Sequence, residues 1–149
     1  MQFAMQYSLE AVQLVDAGKI TVDLFKCPDW ENLVATAQKT RPVYVHFPLM
    51  AGRGTDSIEW AKIEKFLAET DTRFVNMHLA PNTNDFAGLA IDTMDDFWRE
   101  QLIERMLDDI TVAKSHFGAE RVILENVPYD PSPRYAIPRL ALEVEVVQQ

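Results

Sequence analysis

Two histidines and a glutamate, His46, His78 and Glu125, stand at matching places in three short apolar runs: "VYVHFP", "FVNMHLAP" and "VILENVPY". Each run is β-prone, ends in a polar residue and is then stopped by proline. Side chains alternate faces along a strand. In the second run Val75, Met77 and Leu79 therefore share one face, while Asn76 and His78 share the other. Val43, Val45 and Phe47 likewise oppose His46, and Val122 and Leu124 lie opposite Glu125 in sense. If the aliphatic faces meet helices, the two imidazoles and the carboxylate project together from the inner face. That donor set suits a divalent cation such as Zn²⁺, Mn²⁺ or Fe²⁺. A metal would also offset the cost of taking Glu125 out of water. No compact motif such as HExxH accompanies them, so the signal rests on the repeated strand-end position.

The elements that must position these groups follow from periodicity. Strand-like "QFAMQY" leads into a helix over "SLEAVQLVDAG", capped by Ser8. A second strand, "KITVDLFKCP", precedes a helix "WENLVATAQKT", with Asp29 as its expected cap. The His46 strand is followed by a glycine-containing loop, "LMAGRGTD", and Ser57 is expected to open the helix "IEWAKIEKFLAET". After the His78 strand comes a long connection, expected to fold over the carboxyl end of the sheet. Thr93 with Asp96 resembles a capping box for a long helix, whose Leu102, Met106, Ile110, Ala113 and Phe117 mark one face before Gly118 ends it. The Glu125 strand is fifth, and a last helix starts at "LALEVEVV". Five strands alternating with helices predict parallel βα units in a single domain over residues 1–149.

Parallel βα barrels place their chemistry at the carboxyl ends of strands. "VYVHFPL", "FVNMHLAP" and "VILENVPY", in that order, resemble the xylose isomerase-like barrel superfamily, which holds sugar isomerases and epimerases and endonuclease IV-type enzymes. They are also similar to the multinuclear non-haem iron oxidases. The resemblance implies the first five units of a TIM (β/α)8-type barrel, present here as an incomplete barrel. It implies His46, His78 and Glu125 as metal ligands, with Mg²⁺ added to the candidate ions, and Asn126 as a substrate contact. The superfamily's carboxylates and histidines on later strands have no counterpart in these 149 residues.

The expected function is a metal-dependent isomerase or epimerase acting on a sugar or polyol, with Glu125 as ligand or base. Lys26, closing the second strand, is the further acid/base candidate. Asn76 and Arg53 are the further candidates for substrate contact. The alternatives are a truncated, non-catalytic fragment that serves assembly or binding, an iron oxidase, or a metal-dependent endonuclease. A net charge of −9 disfavours general nucleic-acid binding and an anionic membrane surface. No apolar run reaches membrane-spanning length, and the single cysteine, Cys27, cannot form an internal disulfide. A cytoplasmic location is expected on those grounds. His116, near a helix end, is explained by the helix dipole. An incomplete barrel leaves open strand edges, so the chain is expected either to form a homo-oligomer or to belong to a longer polypeptide.

Overall fold

Strands and helices alternate along the chain: β1 (Ala4–Gln6), α1 (Leu9–Asp16), β2 (Leu24–Pro28), α2 (Glu31–Ala37), β3 (Val43–His46), β4 (Leu49–Ala51), α3 (Trp60–Glu69), β5 (Val75–Leu79), α4 (Asp96–Phe117), β6 (Val122–Asn126) and α5 (Arg139–Gln148). The computed structural model describes residues 2–81, 86–89, 95–126 and 139–149, and for 139–143 the backbone alone. The described strands form two three-stranded sheets, ordered β1-β2-β3 and β4-β5-β6. The pairings β1–β2, β2–β3 and β4–β5 are parallel. The chain divides into two compact units, one of Met1–Pro48 with Glu59–Val75, the other of Leu49–Ile58 with Asn76–Gln149.

In the first unit, the Ser8 hydroxyl caps α1 by accepting the Ala11 N–H at 3.1 Å. The helix then buries Ala11 and Val15, one turn apart. Central strand β2 buries Leu24, Phe25 and Cys27, so both of its faces are covered, as expected of a parallel strand. Among the described residues the sheet does not continue beyond β3. The Val45 N–H donates instead to the buried Thr72 hydroxyl at 2.7 Å, and the Asp71 N–H donates to the Val43 carbonyl at 3.0 Å. Residues 71 and 72 thus satisfy backbone groups that an exposed edge would leave open.

Two helix starts differ from expectation in this unit. Asp29 does not cap α2, whose N-cap is Trp30 with no side-chain hydrogen bond. Its carboxylate is taken by Lys62 at 2.9 Å, a charged donor that outcompetes a neutral N–H. Helix α3 begins at Trp60, two residues later than a Ser57 cap would place it. The preceding residues are used in a turn, with the Ile58 N–H donating to the Thr55 carbonyl at 3.1 Å.

In the second unit, the expected loop after the His46 strand is itself partly strand. Pro48 has no N–H to give a ladder, and pairing resumes at Leu49–Ala51 against Met77–Leu79. Among the described residues, six strands therefore stand where five were expected. The α/β class with parallel strands is present, but the described strands lie in two separate ladders rather than one closed barrel. Asp95 starts α4 by accepting the Phe97 N–H at 2.9 Å; Thr93, the other expected cap, lies outside the described residues. The helix buries Leu102, Met106, Ile110, Ala113 and Phe117, the stripe visible in the sequence, and ends at Gly118. Arg99 of α4 pairs with Glu145 of α5, and Val146 of α5 is buried. Most of the connection 81–96, expected over the carboxyl end of the sheet, lies outside the described residues. Among the described residues no helix is long and apolar enough to cross a membrane.

Candidate metal centre

Strand β5 positions His78. Val75, Met77 and Leu79 are fully buried on one face, and the opposite parity leaves His78 half-buried near the carboxyl end. Met50 of β4 is its Cα partner across the ladder. The ring Nδ1 lies 3.2 Å from the carbonyl oxygen of Leu49. A carbonyl oxygen can only accept, so Nδ1 carries a proton and donates it. In the neutral ring this assigns the lone pair to Nε2.

That lone pair meets a carboxylate. On β6, Glu125 is also half-buried, and its Oε2 lies 3.5 Å from His78 Nε2. Two electron pairs facing each other at this distance repel unless a cation lies between them, either a proton on Nε2 or a metal ion. The spacing admits either. Two ligand atoms each ~2.0–2.1 Å from a tetrahedral Zn²⁺ lie about 3.3 Å apart. A histidine anchored through its other nitrogen to a backbone carbonyl is a common way to orient a metal-binding imidazole.

His46 closes β3 in the first unit and is half-buried, with Pro28 of β2 as its Cα partner. His78 and Glu125, both of the second unit, each offer one ligand atom to a metal ion.

The remaining candidates occupy varied places. Lys26 sits half-buried in β2, with Gln6 and Tyr44 as Cα partners, and its backbone carbonyl accepts the Tyr7 N–H at 2.9 Å. Asn76 is fully buried in β5. Asn126 is exposed at the end of β6. Arg53 is exposed on the turn after β4, and its Nε donates to the Ala80 carbonyl at 3.1 Å. One residue of consequence escaped the sequence reading. Asp109, buried on α4, accepts the N–H groups of both Gly52 and Gly54 at 2.8 Å. Its signal was positional: Asp109 lies three residues after Met106 and four before Ala113, inside the helix's apolar stripe.

A scan against protein-family models finds no match to this chain. A search of curated proteins likewise finds no similar sequence.

Proposed function

We propose that this chain is a metal-dependent enzyme domain of the xylose isomerase-like class, with His46, His78 and Glu125 holding one divalent ion and a sugar or polyol as substrate. The observation that carries the reading is the geometry of His78, anchored through Nδ1 to Leu49 and facing Glu125 through Nε2. The resemblance of the three strand-end sequences supports the barrel class, as does the alternation of parallel strands with helices.

A divalent ion bound there supplies Lewis-acid polarisation of a carbonyl or hydroxyl oxygen. The protein's own groups would do the rest. Leu49 holds the His78 ring in one orientation, so that little reorganisation is needed on binding. Glu125 keeps a second carboxylate oxygen, which can accept a proton from a substrate hydroxyl or from the carbon beside a carbonyl.

Isothermal titration of the chelator-stripped chain with Zn²⁺ and Mn²⁺ tests this. One ion per chain is expected, with affinity lowered at least about 100-fold in both Glu125→Gln and His78→Ala, as removal of a ligand should cost no less than removal of its supporting partner. Unchanged affinity in both variants would overturn the assignment. Interconversion of aldose and ketose forms by the metal-loaded protein then tests the substrate class.

A further inference from the structure

The turn that follows β4 is fixed at each of its residues. Gly52 and Gly54 have φ of +96° and +83°, values that side chains other than glycine rarely adopt. A Cβ on Gly52 would also lie 2.7 Å from the Cα of Pro81. The buried Asp109 carboxylate draws both glycine N–H groups inward. Between the glycines stands Arg53, held at Nε by the Ala80 carbonyl two residues beyond His78. Arg105, one turn before Asp109 on α4, lays its guanidinium against Gly54.

These two arginines differ from three cations of the chain that are held in ion pairs. Lys62, Lys65 and Arg99 each engage a carboxylate. Arg53 and Arg105 are exposed, and among the described residues neither has a carboxylate partner, in a chain whose net charge is −9. Among the described residues, a carbonyl at Nε leaves the charge of Arg53 uncompensated and its two terminal NH₂ groups available as a fork. That fork matches the paired oxygens of a phosphate or carboxylate. Both glycine N–H groups are already taken by Asp109 Oδ2. An incoming anion must therefore be bound by the guanidinium groups and not by the backbone of the turn.

We infer that Arg53 and Arg105 form an oxyanion subsite beside His78, and that the substrate carries a phosphate or carboxylate group. The subsite's place in a substrate pocket rests on the function proposed above; its capacity to bind an anion does not. Residues two apart on a strand are ~7 Å apart. The residue whose carbonyl holds Arg53 thus lies ~7 Å along the chain from the one that bears the metal ligand.

Titration of the full chain with inorganic phosphate and, separately, with acetate, both in the presence of chelator, tests the inference. Saturable binding of at least one anion is expected at millimolar concentration or below. Arg53→Ala should weaken it at least about 10-fold, and Arg53→Lys should restore it in part, since the charge returns without the fork. Acetate binding without phosphate binding would assign the group as a carboxylate, and the reverse as a phosphate. Absence of saturable binding by either anion, or equal affinity in Arg53→Ala, would overturn the subsite. Arg53 is exposed, so its variants should fold, and a thermal melt identical to the parent's confirms it. Metal titration of the same variants separates the two readings. Lost anion binding with intact metal binding bears on the subsite alone, whereas anion binding without metal binding would leave the subsite standing and remove the metal reading.

Discussion

At the scale of single residues, His78 and Cys27 show how position decides chemistry. Both lie on strands, but His78 has a carbonyl on one side and a carboxylate on the other, while Cys27 is enclosed by apolar neighbours in central strand β2. Burial pushes the Cys27 thiol up to about 11, because the thiolate is poorly solvated there. The folded chain therefore holds this proton more tightly than the unfolded chain does. The resulting contribution to stability is fully present below about pH 9 and is lost as pH rises toward about 11. Denaturation midpoints measured from pH 7 to 11 should fall across that window. The fall should be shallower in Cys27→Ala, and parallel curves for the two proteins would refute the assignment. Alkylation of Cys27 at neutral pH should likewise be slow until the protein is unfolded.

At the scale of elements, the turn of residues 51–54 depends on α4 for its shape. Asp109→Ala would leave two N–H groups without their acceptor, one of them buried. A loss of about 2–5 kcal/mol is expected in urea unfolding. Gly52→Ala should also destabilise, through its positive φ and the approach of its Cβ to Pro81, by at least about 1 kcal/mol. Because both changes act on one turn, the double variant should lose less than the sum of the singles. Additive losses would show that helix and turn are held independently. In the first unit Thr72 does comparable work at the outer edge of β3, where its hydroxyl replaces a missing strand as acceptor for Val45.

At the scale of the whole molecule, metal binding and stability should be linked. A ligand that binds only the folded chain stabilises it by about 2.7 kcal/mol at 100 times its Kd. For a chain of this length that corresponds to a rise in Tm of roughly 5–10 °C. Calorimetry of the chelator-treated chain with and without Zn²⁺ should show this rise, and Glu125→Gln should abolish most of it. A Tm insensitive to Zn²⁺ in the parent would contradict binding by the folded state. The same experiment in high salt should preserve the effect, since the proposed ligands are half-buried and weakly screened.

Much of this was written locally. Alternation along β3 and β5 identified the aliphatic faces that are buried, and the spacing in α4 marked its stripe from Leu102 to Phe117. Ser8 and Gly118 acted as start and stop because capping involves only neighbours in the chain. The strand-end placement of His46, His78 and Glu125 was visible for the same reason: parity along a strand needs no knowledge of distant residues. What local pattern could not reveal was the choice among distant partners. Asp29 could have capped α2, but Lys62, 33 residues away, engages it instead. Pro48 marked the end of a ladder, yet the pairing of Leu49 with Met77 was decided by the sheet. The His78 tautomer depends on a carbonyl 29 residues earlier. Asp109 looked like one more helix carboxylate until Gly52, 57 residues earlier, was brought against it. Periodicity specifies which face of an element turns inward; only the packed chain specifies what that face meets, because hydrogen bonds and ion pairs depend on distances of a few ångströms between residues far apart in sequence.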